Sequence, residues 1–238
     1  MDIEILDVKE QVLEENDRIA ASTRAELLRN KVFLINLMGS PGAGKTSVLL
    51  QLIKRLGESC RIGVMEADVD SDVDARTVSE AGAKVVQLHT GGLCHMDAAM
   101  TKQGLDALGP EELDLVFLEN VGNLVCPAEF DVGAELRMMI LSVPEGDDKP
   151  LKYPLMFTVS DVMLVNKIDT APIFDFDLEA ASARALSLNP HIEIFPISAK
   201  TGEGFDELTD WLKRRLDRRP VGADDHIGPP FPEGGPVA

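Results

Sequence analysis

Gly39-Ser40-Pro41-Gly42-Ala43-Gly44-Lys45-Thr46 is the stretch on which the reading of this chain turns. It satisfies G-x-x-x-x-G-K-[ST], follows an apolar run at Val32–Met38 and precedes an amphipathic stretch at Thr46–Leu56. A strand before and a helix after is the context in which this string cradles phosphates. The glycines let backbone N–H groups turn inward, and the helix N-terminus adds partial positive charge. The eight residues, with Ser47 beside them, are the candidate phosphate contacts. Lys45 is placed to reach the β and γ phosphates, and the Thr46 hydroxyl to hold Mg²⁺.

Outward from that loop, apolar runs of strand length alternate with helical stretches. The runs are Val32–Met38, Ile62–Met65, Val85–Leu88, Leu115–Leu118, Met138–Val143, Val162–Val165 and Ile192–Ile197. Helical patterns lie at Leu178–Leu188 and Phe205–Leu216. Uninterrupted apolar strands separated by helices predict a mostly parallel sheet covered on both faces. The fold class is α/β, a three-layer α/β/α P-loop NTPase. Residues 8 to 29 predict a helix lying on that domain, with Val8, Val12, Ile19, Thr23 and Leu27 roughly on one face. The expected organisation is an N-terminal helix over 1–30, a nucleotide-binding domain over 31–219 and a disordered Pro/Gly-rich tail over 220–238.

Composition narrows the function classes. The 238 residues are 45% hydrophobic, enough for a sizeable core, and carry 23 basic against 41 acidic side chains, a net charge of −18. Nucleic acid and anionic membranes both select a basic face, so neither is an expected partner. No apolar stretch approaches the ~18 residues of a membrane span. Asp2, Glu4 and Asp7 do not form the basic-then-apolar layout of a leader, so the chain is expected to be cytoplasmic. Three cysteines, Cys60, Cys94 and Cys126, are an odd number that argues against a disulfide framework, and they are expected as free thiols.

The base is chosen by Asn166-Lys167-Ile168-Asp169 at the end of a predicted strand. A carboxylate there accepts from both N1–H and the 2-amino group of guanine. Adenine has an acceptor at N1 and no 2-amino group, so it would leave Asp169 unmatched. Ser198-Ala199-Lys200 follows the last strand, where GTPases place a second guanine-contacting loop. Asn166, Lys167, Asp169, Ser198, Ala199 and Lys200 are thus candidate guanine contacts, and GTP the nucleotide.

The loops between these motifs carry two ligand sets. Asp68 and Asp74, among the acidic residues Glu66, Asp68, Asp70, Asp72 and Asp74, are candidate Mg²⁺ ligands with Thr46 and Glu119, because hard oxygen donors beside a γ-phosphate suit that ion. Leu115–Leu118 leads into Glu119-Asn120-Val121-Gly122, where the Gly122 N–H is expected to sense the γ-phosphate. Cys94 and His95 are adjacent, predicted to open the helix after the third strand, and Cys126 lies four residues past Gly122. Two thiolates and an imidazole suit Zn²⁺ or Ni²⁺. Three ligands leave a fourth position open, or filled by a second copy across a two-fold axis.

Gly39–Thr46, the Cys94-His95 pair, Glu119-Asn120-Val121-Gly122-Asn123-Leu124-Val125-Cys126-Pro127, the stretch Asp148–Pro154 and Asn166–Asp169 together resemble the hydrogenase nickel-incorporation GTPase family, from about residue 8 to 217. The resemblance implies a GTPase of the metal-insertion and signal-recognition class that dimerises, hydrolyses GTP slowly to GDP and helps deliver nickel to [NiFe]-hydrogenase precursors. The implied partners are a second copy, a nickel-binding accessory protein and the hydrogenase large-subunit precursor. Some members carry an N-terminal cysteine motif or a His-rich tract, and nothing before Cys60 supplies either. Others place a further His after the Cys-His pair, where this chain has Ala98, Ala99 and Met100. Two alternatives stand beside this reading: a sister GTPase serving urease or cobalamin enzymes, and a metal-binding protein whose nucleotide is only structural.

Overall fold

A computed structural model describes the backbone of residues 8–68 and 73–217, and side chains within 11–67 and 75–217. Strands β1 (Phe33–Gly39), β2 (Ile62–Asp68), β3 (Lys84–His89), β4 (Leu115–Glu119), β5 (Leu136–Ser142), β6 (Val162–Asn166) and β7 (Glu193–Pro196) form one sheet in the order β3-β2-β4-β1-β5-β6-β7. Every pairing is parallel. All the predicted runs are strands, with ends shifted by no more than three residues. The helices are α1 (Val8–Asn30), α2 (Lys45–Leu56), α3 (Val73–Glu80), α4 (Ala98–Leu108), α5 (Cys126–Glu129), α6 (Lys149–Lys152), α7 (Pro154–Val159), α8 (Leu178–Leu188) and α9 (Phe205–Asp217).

Alternation along β1 divides the core. Phe33, Ile35 and Leu37 pack with Val48, Leu49, Leu52, Ile53 and Leu56 of α2 and with Leu208, Leu212 and Leu216 of α9. Leu34 faces the other way, among Leu27 of α1 and Leu105 and Leu108 of α4. Met38 shares that second face with Met156 and Phe157 of α7 and Ala185 of α8. Covering both faces explains why the strands are apolar without interruption. It also leaves the carboxyl ends of the strands as the open edge, where ligands of such sheets bind.

Helix α1 departs from expectation in its buried stripe. Asn16, Ala20, Thr23 and Leu27 face inward, while Val12 is 52% exposed and Ile19 half-buried. Polar anchors set this rotation. The Asn16 amide donates to the Asp131 carbonyl at 2.9 Å and accepts from Ala98 N at 2.9 Å. Arg24 holds both Asp131 carboxylate oxygens, at 2.8 and 2.6 Å. Among the described residues, no helix is long and apolar enough to cross a membrane. The tail 220–238 and the acidic residues Asp2, Glu4, Asp7, Asp70 and Asp72 lie outside the described residues.

Helix α2 links the phosphate loop to the core, so its buried face should dominate stability. Leu52→Ala, at a fully buried position, should cost about 2–5 kcal/mol in urea unfolding, and Val12→Ala no more than ~0.5 kcal/mol. Equal costs would contradict the packing described.

Candidate functional site

The phosphate loop leaves β1 at Gly39 and enters α2 at Lys45. Gly44 caps the helix with φ 98°, a left-handed backbone that side chains avoid, and a Cβ there would stand 2.6 Å from Asn166 Nδ2. The Asn166 amide bridges two loops: Nδ2 donates to the Ala43 carbonyl at 2.9 Å, and Oδ1 accepts from Ala199 N at 3.1 Å. Lys167, itself left-handed at φ 64°, donates from Nζ to the Gly42 carbonyl at 2.6 Å. Asp169 Oδ1 accepts from Ser198 Oγ at 2.7 Å. Both candidate guanine loops therefore converge on the phosphate loop, and Asp169 and Ser198 are brought together.

The candidate sensor loop lies against the same turn. Asn120 N donates to the Leu37 carbonyl at 3.0 Å and Asn123 N to the Gly39 carbonyl at 3.1 Å. Gly122 is so close that a Cβ would stand 2.9 Å from Pro41 N. Thr46 Oγ1 donates to Glu119 Oε1 at 2.9 Å, with Glu119 buried at the end of β4. A hydroxyl and a carboxylate in contact beside a phosphate loop are hard oxygen donors that fit Mg²⁺. Asp68 and Asp74 are described in backbone only, at the end of β2 and within α3, so their side chains lie outside the described residues.

The structure brings the three candidate soft ligands together. Cys94, His95 and Cys126 bring one ligand atom each within 4.8 Å of the others. Cys94 Sγ lies 2.9 Å from Cys126 Sγ and 3.9 Å from His95 Nδ1, and all three cysteines are free. Two sulfurs on one tetrahedral ion stand about 3.8 Å apart, so an ion needs less than an ångström of spreading. Burial lowers the His95 pKa from the usual imidazole value, keeping the ring neutral and able to ligate. The Cys94 thiol's hydrogen bond, followed by burial, raises Cys126, so that an arriving ion must displace its proton.

Helix α4 corrects one expectation. It begins at Ala98, with the Asp97 carboxylate capping it by accepting from Met100 N at 2.8 Å, so Cys94 and His95 sit in the preceding loop. Asp97 is the stronger N-cap, which moves the helix start past the ligands. Two contributors escaped the sequence reading. Phe130 stacks on His95 with centroids 4.0 Å apart, and the buried Asn120 of the candidate sensor loop accepts from Met96 N, next to the Cys94–His95 pair. A lone Phe carries no signal for stacking. Asn120 stands within the Glu119–Gly122 motif, but its contact with Met96 N leaves no trace in local sequence.

The CobW/HypB/UreG nucleotide-binding domain family matches residues 33–196. The hydrogenase maturation factor HypB of Azotobacter vinelandii is 46% identical over 215 residues, covering 90% of this chain and 71% of that protein. HypB from Helicobacter pylori in complex with nickel superposes with a TM-score of 0.80 at 33% identity, over 85% of this chain and 95% of that one. The hydrogenase maturation factor HypB from Archaeoglobus fulgidus superposes with a TM-score of 0.79 at 38% identity, over 86% and 100% respectively.

The approach of Gly122 to Pro41 yields a direct test. Gly122→Ala should force two backbones apart and weaken a non-hydrolysable GTP analogue by ~10-fold, about 1.4 kcal/mol, with a smaller effect on GDP. Titration of fluorescent nucleotide analogues reads both, and equal affinities for variant and wild type would refute the close fit.

Proposed function

The chain belongs to the CobW/HypB/UreG family, and we propose that within it this protein is a GTP-hydrolysing metallochaperone that helps insert nickel into [NiFe]-hydrogenase precursor. The observation that carries the reading is one loop with two ends. Gly122 abuts the phosphate loop, and Cys126, four residues on, joins Cys94 and His95 in a candidate metal set. Four residues span at most ~14 Å of chain, so a shift at Gly122 reaches Cys126. The nickel-bound relative supports nickel as the cargo. Zinc is the competing ion, since both accept sulfur and nitrogen donors.

In the proposed mechanism the Gly39–Thr46 loop cradles the phosphates, with Ser47 beside it. Lys45 reaches the β and γ oxygens, and Thr46 and Glu119 hold Mg²⁺, with Asp68 and Asp74 as further candidates. When bound, that ion neutralises charge developing on the phosphates. Asp169 reads guanine from the pocket shaped by Asn166, Lys167, Ser198, Ala199 and Lys200. Loss of the γ-phosphate frees the Gly122 N–H, the sensor loop relaxes, and Cys126 moves relative to Cys94 and His95. Leu93 and Val125, each next to a ligating cysteine, are 46% and 50% exposed, which favours a surface where a partner supplies the fourth ligand. The proposed partners are a second copy, a nickel-binding accessory protein and the hydrogenase large-subunit precursor, in the cytoplasm. Helix α1 is proposed as an appendage of the nucleotide-binding domain.

Nucleotide choice is tested by Asp169→Asn, which should weaken GTP and favour xanthosine triphosphate, whose 2-oxo group accepts where guanine donates. Equal competition by ATP and GTP in the wild type would remove the guanine assignment. The coupling is tested by titrating Ni²⁺ and Zn²⁺ into the protein with GDP and with a non-hydrolysable GTP analogue. The two states should differ by 5–150-fold, about 1–3 kcal/mol, with nucleotide affinity shifted reciprocally by the metal. Superimposable titrations would leave a GTPase and a metal set that merely share a chain.

A further inference from the structure

Asn120 follows Glu119 directly and stands two residues before Gly122, yet none of its side-chain hydrogen bonds goes to the phosphate loop. The residue is 1% exposed. Its Oδ1 accepts from Val121 N at 2.9 Å and from Met96 N at 3.1 Å. Its Nδ2 donates to Asn36 Oδ1 at 3.1 Å. One amide thus joins the central strand, the first residues of the sensor loop, and the loop that carries Cys94 and His95. Both lone pairs of Oδ1 are in use, one by each loop.

Asn36 makes the arrangement more telling. It is 1% exposed and shares its face of β1 with Leu34 and Met38, both sunk in apolar core. A polar side chain in that position is tolerated only with a partner, and packing alone would favour an aliphatic one. The partner is Asn120. The Asn36 contact fixes the plane of the Asn120 amide, so its acceptor keeps a set direction toward the two loops. Met96 is in turn a firm attachment point, its side chain buried among Met65, Leu105 and Leu118. Cys94 and His95 therefore hang from a residue whose backbone N–H is held by the sensor loop.

We propose that Asn120 is a positioning residue that transmits the nucleotide state to the Cys94–His95 half of the metal set, alongside the covalent path from Gly122 to Cys126. This rests on the nucleotide-coupled metal reading given above. When Gly122 re-engages, Val121 N shifts at the shared acceptor. The pinned amide carries that shift to Met96 N, and all three ligands rearrange, where the covalent path alone would displace only Cys126.

The test uses Asn120→Leu together with the double variant Asn36→Leu/Asn120→Leu, which removes both buried polar groups at once and so guards against misfolding. Asn120→Asp retains an acceptor for both N–H groups, with the Asn36 amide turned to donate. Co²⁺ serves as the probe, its absorption reporting the ligand set and its affinity being measured with GDP and with a non-hydrolysable GTP analogue. In the wild type the two affinities should differ by ~10-fold, within the usual coupling range, and in the double variant by under ~2-fold, with GDP affinity unchanged. Asn120→Asp should keep most of the difference. A double variant that binds GDP normally and retains the wild-type ratio overturns the inference and leaves the coupled reading standing. Loss of Co²⁺ in both states at normal GDP affinity also overturns it, reducing Asn120 to a support of the loop. A flat wild type overturns the coupled reading itself, and this inference with it.

Discussion

A turn that aims its N–H groups at a phosphate must aim its carbonyls outward, and those carbonyls need donors. Here they come from two other segments, the stretch after β4 and the Asn166–Asp169 stretch. The Gly39 carbonyl accepts from Asn123 N, the Gly42 carbonyl from Lys167 Nζ, and the Ala43 carbonyl from Asn166 Nδ2. Each donor belongs to a loop with its own work in the proposed mechanism, sensing the γ-phosphate or reading the base. The peptide polarity of eight residues therefore gathers the rest of the site. It also explains why Gly44 and Gly122 lack side chains: Asn166 Nδ2 and Pro41 N occupy the space.

The sheet supplies that gathering with little adjustment. Because β1 is central and β4 and β5 flank it in parallel, the loops after all three open at the same edge. Asn120 and Asn123 are bound to the end of β1 by main-chain bonds, so the candidate sensor loop forms a short extension of the sheet. Motion there is resisted on one side by β1 and on the other by Pro41. On the proposed reading such confinement limits the loop to few positions, which suits a switch better than a free segment would.

Much of this was legible from residues alone. Strand order was not, yet the apolar runs and the phosphate-loop string located each strand to within three residues. Cys94, His95 and Cys126 were candidates on their chemistry, and the fold brings one ligand atom of each within 4.8 Å of the others. What escaped was decided by long-range polar contacts. The inward face of α1 is set by Asn16 and Arg24 reaching Asp131, more than a hundred residues away, and periodicity is blind to that. The start of α4 is set by the Asp97 cap, three residues past the Cys94 position from which the pattern predicts a helix. The link from Asn120 to Met96 depends on two loops meeting, which no local pattern records.

On the proposed reading one short stretch, from Glu119 to Cys126, serves two metals of different character. Its first residue offers a carboxylate beside the Thr46 hydroxyl, and its last offers a thiol beside another thiol and an imidazole. Hard oxygens favour Mg²⁺, and sulfur with nitrogen favours Ni²⁺ or Zn²⁺, so neither ion competes well at the other's ligands. Proximity then becomes useful without cross-loading, because what passes along the stretch is displacement and not the ions themselves. The soft set is also the more exposed, with Cys94 on the surface and the Glu119 carboxylate buried. A cargo ion must be able to leave, while an ion that helps hold a nucleotide must not. Burial and ligand hardness thus divide the stretch the same way, release at one end and retention at the other.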